Sequence, residues 1–173
     1  MILTGPEIAR QVEKGHISLQ PFNPARLTTN SYDLQLGDTL LSYTSEVLDP
    51  RIENPYIEEL IPDSGYHFRR HQFALGSSVE RVGSDYFVPI IHARSSYARL
   101  GLFVHVTADL IDLGSLGRVT FQLFATSDVV LLKGARVAQV SFWKPEGLIH
   151  LYNGKYQHSD GPRPSKAFMD ETA

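Results

Sequence analysis

The chain has 173 residues, a formal net charge of −3, an apolar fraction of 42% and no cysteine. That length suits one domain with its own core, and the slight acidity supplies no global basic field for nucleic acid. The missing cysteines exclude disulfides, thiolate nucleophiles and every cysteine-ligated zinc site.

No apolar run approaches the ~20 residues needed to span a bilayer. The start, MILTGPEIARQVEKG, lacks the long apolar stretch of a signal peptide. The expectation is a cytoplasmic protein with neither a membrane nor a nucleic-acid partner. Thr4-Gly5-Pro6-Glu7 predicts a helix start, with Thr4 as cap, Glu7 completing a capping box and Pro6 in the first turn. Ile8 and Val12 share a face, so a short amphipathic helix runs to about Glu13–Lys14 before Gly15.

Beyond it the punctuation is that of a β protein. SYDLQLGDTLLSY alternates around a Gly-Asp turn, and FALGSSVERV and YFVPIIHARSS follow. GLFVHVTADLID, GRVTFQLFATS, DVVLLKGARVAQVSFW and LIHLYNG come next, with Gly, Pro, Asp and Asn recurring between short apolar runs. The fold class read from this pattern is mainly β, a single-domain β-barrel or jelly-roll-like sandwich. Residues 45–64, rich in Pro and acid, read as a long surface connection. The polar tail from about Gly154 reads as disordered or as a flap that orders on a ligand.

Three constellations carry chemistry. In RSSYARLG, Arg94, Ser95, Ser96 and Arg99 offer two guanidinium forks and two hydroxyls, a donor set suited to polyphosphate. By residue type alone, a surface turn with serine caps is the plainer reading. Asp112, set among Leu110, Ile111 and Leu113 before Gly114, could orient a sugar hydroxyl, activate water or cap the turn. In GRVTFQLF the pleat puts Val119, Phe121 and Leu123 on one face and Thr120, Gln122 and Phe124 on the other. The Gln122 amide can donate and accept at once, which suits a base edge, but it moves no proton at neutral pH. His67 and His71 stand four apart on a strand-like segment, which gives no metal-binding face, and no metal ligands are assigned. His105 reads as a hydrogen-bonded interior residue.

Several segments then fall into a known order: MILTGPEI at the start, NSYDLQLG at 30–37, RSSYARLGLFVHVTA at 94–108, ID-x-G at 111–114, the strand 117–124 and GKYQ…GPRPS near the end. Together they resemble the dCTP deaminase family, of the dUTPase-like fold. The resemblance implies one domain over residues 1–173, a distorted β-barrel or jelly roll with a short N-terminal helix. It implies a homotrimer with nucleotide sites at the subunit interfaces and a C-terminal flap at about 154–173. The implied reaction is hydrolytic deamination of dCTP to dUTP without zinc, with Mg²⁺ held through the triphosphate. The ligands it implies are the pyrimidine deoxynucleoside triphosphates dCTP, dUTP and dTTP.

Carried over residue by residue, Arg94, Ser95, Ser96 and Arg99 are similar to the segment that binds triphosphate and positions water, with Ser95 and Arg99 in the catalytic set. Asp112 resembles the residue at the deoxyribose, and Thr120, Phe121 and Gln122 those at the pyrimidine. Thr107 and Ala108 would shape the pocket around the leaving amine, while Tyr152 and Lys155 would close on base and phosphates. Two positions depart from the pattern. Ser159 stands where many relatives have glutamine. Gln122 stands where family deaminases carry the glutamate that shuttles protons, and losing such a group typically costs ~10²–10⁴-fold. Gln122 admits three readings: a deaminase with its carboxylate replaced by an amide, a dUTP/dCTP diphosphatase that uses Asp112 as base, or a non-catalytic nucleotide-binding paralogue.

Overall fold

A computed structural model describes residues 1–105 and 107–171. Val106 of the HVTA block and Thr172 and Ala173 of the expected flap lie outside the described residues. The chain opens with helix α1 (Gly5–Glu13), followed by strands β1 (Ser18–Gln20), β2 (Tyr32–Gln35), β3 (Thr39–Tyr43), β4 (Tyr56–Leu60), β5 (Tyr66–Phe68), β6 (Phe73–Gly83) and β7 (Val88–Ala93). A one-turn helix, α2 (Ser95–Ala98), leads into β8 (Leu102–Phe103), β9 (Leu116–Ala125), β10 (Val129–Leu131), β11 (Arg136–Trp143) and a last short helix, α3 (Phe168–Glu171).

The strands form three sheets: β4-β3-β6-β9-β8 with β1 also on β6, the triplet β2-β11-β7, and the pair β10-β5. All named strand pairs are antiparallel. Tyr32, Leu34, Val140 and Phe142 from the triplet meet Leu40, Phe121 and Leu123 from the larger sheet in one core, so the mainly β expectation holds. Among the described residues no helix is long and apolar enough to cross a membrane.

β6 and β9 form the spine. Their register shifts between Ser77 and Arg81, and Ser78 repairs the ladder there. Its Oγ accepts the Val119 N–H (2.8 Å) and donates to the Glu80 carbonyl (2.6 Å). Such a bulge bends the strand, and it places the fully buried Glu80 carboxylate against Arg26 and the Gln35 N–H (2.9 Å). Burial pushes the Glu80 carboxyl above its ordinary range, and the Gln35 N–H and Arg26 pull the other way.

Two expectations need correction. Residues 45–64 are not only a connection, because β4 pairs along its whole length with β3. Its five residues are all exposed, so YIEEL carries the charges of a protected sheet edge rather than alternating burial. At α1, Thr4 occupies the cap position but its side chain makes no capping bond. Glu7 instead turns to Arg10 and Gln11, accepting from Arg10 Nε (2.8 Å) and Gln11 Nε2 (2.6 Å), and its carboxyl is lowered to about 2 by those donors.

Candidate functional site

β9 has two unlike faces. Val119, Phe121, Leu123 and Ala125 point into the core, while Arg118, Thr120, Gln122 and Phe124 are half-buried on the other side. That second face floors a cavity of about 1070 Å³. Cross-strand pairing of Phe73 with Phe124 and of Leu75 with Gln122 makes most of the floor apolar. Thr120 Oγ1 accepts the Arg163 N–H (3.1 Å). No described residue hydrogen-bonds the Gln122 side chain, so its amide faces the cavity with both ends open.

Thr107, Ala108, Asp112, Tyr152, Lys155 and Ser159 also line this cavity. The structure therefore gathers Asp112, Thr120 and Gln122 with the tail residues around one cavity. Phe121 is a correction to its expected place at the pyrimidine: its ring is fully buried on the core face of β9 and does not line the cavity. Asp112 is the only carboxylate among the described residues lining the cavity. Its backbone carbonyl accepts from Ser115 N–H (3.1 Å) in the turn that Gly114 makes at φ 84°, so its main chain shapes the turn and its exposed carboxylate stays available.

The tail is laid down along β9. His158 N–H donates to the Leu116 carbonyl (2.8 Å) and Arg118 N–H to the Ser159 carbonyl (2.8 Å). Gln157 bridges the Leu116 N–H and the Gly114 carbonyl (2.8 Å each). The approach needs a glycine, since a Cβ on Gly117 would sit 2.7 Å from the Ser159 nitrogen. Ser159, buried, donates to the Tyr156 carbonyl (2.7 Å). Farther on, Ser165 N–H reaches the Tyr43 hydroxyl (2.7 Å), which carries the tail across the cavity to β3.

The tail also sets the charge. Lys155 donates to the Lys166 carbonyl (3.0 Å) and pairs with Asp170. Arg118 Nε lies 2.9 Å from an Asp160 oxygen, but its N–H is not aimed there and has no aligned acceptor among the described residues. His105 lines the cavity as well, half-buried, with Nδ1 3.1 Å from the Val104 carbonyl. Burial lowers its pKa against the pull of neighbouring carbonyls, which favours the neutral ring.

Arg94, Ser95, Ser96 and Arg99 lie elsewhere. Ser95 and Ser96 open α2, Arg94 and Arg99 flank it on either side, and none of them lines the β9 cavity. Arg94 Nε stands 3.4 Å from the buried Asp33 carboxylate, which also accepts from Gln139 Nε2 (2.9 Å) and faces Arg136 (3.5 Å). With Arg26, Gln35, Tyr97 and Arg136, Arg94 lines a second cavity of about 480 Å³. Ser95, Ser96 and Arg99 are exposed and line neither cavity. One chain thus holds the expected site in two separate pieces.

Sequence reasoning missed Arg118, Arg163, Tyr156 and the cavity position of His105. Arg118 had a usable signal, because its spacing of two from Thr120 and four from Gln122 puts all three on one face of a strand. His105 had none, since its place depends on how the loop after β8 folds back.

Residues 2–145 match the family described as dCTP deaminase-like. The chain is 36% identical over 171 residues to the "dCTP deaminase, dUMP-forming" of Clostridium botulinum (strain Eklund 17B / Type B), covering 98% of each. It is also 36% identical over 171 residues to the protein of that description from Hathewaya histolytica, covering 98% of this chain and 99% of the relative. Among solved structures, the 2'-deoxycytidine 5'-triphosphate deaminase from Agrobacterium tumefaciens superposes with a TM-score of 0.67 at 17% identity. That likeness covers 86% of this chain and 49% of the other, and it concerns the fold. The chain belongs to the dCTP deaminase-like family.

Proposed function

We propose that this chain is a hydrolase of pyrimidine deoxynucleoside triphosphates whose inherited reaction is the deamination of dCTP, slowed here by Gln122. The observation that carries this reading is the convergence of Asp112, Thr120, Gln122, Tyr152, Lys155 and Ser159 on one cavity with an apolar floor. A pyrimidine ring suits Phe73, Leu75 and Phe124, with its polar edge toward Gln122. The sugar falls to Asp112, and the phosphates run toward Lys155.

The triphosphate needs more cation than this half supplies. Arg94, Ser95, Ser96 and Arg99 come from a neighbouring copy in this reading, which makes the working form a homotrimer with shared sites. Magnesium fits the same end. Among the described residues no three His, Asp or Glu side chains gather as a metal cluster, so an ion would draw its ligands mainly from phosphate oxygens, with Asp112 the carboxylate within the cavity. When bound, it would neutralise phosphate charge.

Deamination asks for a group that takes a proton from the attacking water and passes protons to the ring and the departing ammonia. Gln122 can hold that water or the base but cannot move a proton, which leaves Ser95 and Arg99 of the neighbouring copy to position the water. A second reading is favoured by Asp112 being the cavity's only carboxylate among the described residues. There it accepts a proton from water attacking the α-phosphate, and pyrophosphate leaves. Forming dUMP from dCTP, as the relatives' description has it, requires both hydrolyses.

The test is a paired assay of the chain and its Gln122→Glu variant on dCTP and dUTP with Mg²⁺, reading ammonia and pyrophosphate separately. Ammonia release rising about 10²–10⁴-fold with Glu supports the slowed deaminase. Pyrophosphate from dUTP that is unaffected by Glu and abolished by Asp112→Asn supports the second reading. No product from either nucleotide in either protein would overturn both.

A further inference from the structure

We infer that Arg118 is a specificity residue of the β9 cavity, its guanidinium donating to the 3'-hydroxyl of the nucleotide while Asp112 accepts from the same group. This rests on the nucleotide reading of the cavity and goes past it to how the sugar is read. Arg118, Thr120 and Gln122 share one face of β9 and all line the cavity. Four residues of strand separate Arg118 from Gln122, about 13 Å along the sheet. Asp112 belongs to the Arg118 end, because its turn closes on Ser115, one residue before β9 begins. With the base edge at Gln122, the sugar lies toward Asp112 and Arg118.

The second observation is the state of the guanidinium. The backbone N–H of Arg118 holds the Ser159 carbonyl, which fixes where the side chain starts. Its Nε–H is buried with no aligned acceptor among the described residues, and the Asp160 carboxylate 2.9 Å away is 65% exposed. The cross-strand partner is Arg81, a like charge that offers no acceptor. Ser159 beside it commits its hydroxyl to the Tyr156 carbonyl. A buried donor left in this state is costly, and an oxygen brought in by a ligand relieves it. A hydroxyl both donates and accepts, whereas a carboxylate only accepts and a guanidinium only donates. Asp112 and Arg118 therefore satisfy the two halves of one hydroxyl with charge-assisted bonds. A sugar without that hydroxyl turns a CH₂ group to both charges, and a site built this way rejects it.

The experiment measures dissociation constants for α,β-imido dUTP and its 2',3'-dideoxy counterpart, with Mg²⁺, on the full chain and three variants. The wild-type protein is expected to bind the nucleotide with the 3'-hydroxyl about 30-fold more tightly, or better. Arg118→Met, which keeps the stem and removes every donor, is expected to lower that ratio about 10-fold. Arg118→Lys keeps the charge but not the planar fork, and is expected to lower it about 3-fold. Arg81→Met removes the same charge from the neighbouring strand, where it does not line the cavity, and is expected to leave the ratio in place. A wild-type ratio below about 3-fold, an unchanged ratio in either Arg118 variant, or an equal fall in Arg81→Met would each overturn the inference while leaving the nucleotide site standing. A loss in Arg118→Met that is the same for both analogues is a general effect of charge and overturns it too. Failure of the wild-type chain to bind either analogue would overturn the site itself.

Discussion

The β9 cavity and the α2 corner are opposite kinds of surface. The cavity has largely apolar walls, Asp112 as the one carboxylate among the described lining residues, and cations next to tail carboxylates, Lys155 paired with Asp170 and Arg118 beside Asp160. The corner is charged and solvated, with Ser95, Ser96 and Arg99 exposed and Arg94 braced on the buried Asp33. In the proposed reading one takes a ring and a sugar, the other anionic oxygens. A buried carboxylate between two arginines is costly unless its partners are fixed, so Asp33 reads as a brace that aims Arg94 outward. Neither surface alone suits a whole nucleoside triphosphate, and each has what the other lacks.

If the two surfaces meet only between copies, crippled chains should repair one another. Arg99→Ala damages the corner, and Asp112→Asn damages the cavity; if Asp112 is the base proposed for the second reading, pyrophosphate release from dUTP should fall about 10²–10⁴-fold. Co-refolding the two variants in equal amounts should restore about a quarter of the wild-type rate, because one chance combination in four joins two intact halves. A mixture no more active than the average of its parents would place both halves in one chain and remove the contrast.

The contrast also exists within β9, across the thickness of a single strand. Phe121→Ala should cost about 3–5 kcal/mol of unfolding free energy by emptying a fully buried site, read as a lower denaturation midpoint. Gln122→Ala, one residue along on the cavity face with no hydrogen bond to lose, should cost less than about 1 kcal/mol. Equal losses would mean that the cavity face is packed like the core.

These two neighbours show why part of the molecule was legible in sequence. Strand alternation assigned Phe121 to one face and Gln122 to the other, and the structure agrees residue by residue. The family's motif order instead implies Phe121 at the pyrimidine, yet its ring lies in the core and does not line the cavity. The edge strand β4 escaped because exposed YIEEL shows no buried alternation. The tail escaped because its docking relies on main-chain bonds to Leu116 and Arg118 and on the absence of a Cβ at Gly117, none of which leaves a periodic pattern. The separation of Arg99 from Gln122 was not legible at all. Residue types state what ligand a surface suits, whereas the topology that sends β7 and β9 into different sheets decides which surfaces share a cavity.

A smaller effect distinguishes the cavity from the corner by pH. Burial holds His105 below its ordinary pKa, so the folded state prefers the neutral ring. As pH falls through the unfolded value of about 6.5, the unfolded chain takes up a proton that the folded chain refuses, and stability declines. The fall in melting temperature between pH 8 and pH 5.5 should therefore be larger for the wild-type protein than for His105→Gln. The reverse order would mean that the folded cavity welcomes an imidazolium.

The smallest expected effect bears on whether the tail belongs to the cavity's charge or merely covers it. Lys155 is largely buried beside Tyr156 and spends its ammonium on the Lys166 carbonyl and on Asp170, whose side chain is 69% exposed. A phosphate aimed at Lys155 must share or displace that carboxylate. An exposed ion pair contributes only about 0–1 kcal/mol, so Asp170→Asn should raise affinity for inorganic tripolyphosphate by no more than about 5-fold, with the gain shrinking as salt screens it. A fall in affinity instead would show that Asp170 orders the tail for the ligand. The carboxylate would then be a strut that keeps Lys155 pointed at the phosphates, and the tail would act as a preformed wall of the cavity.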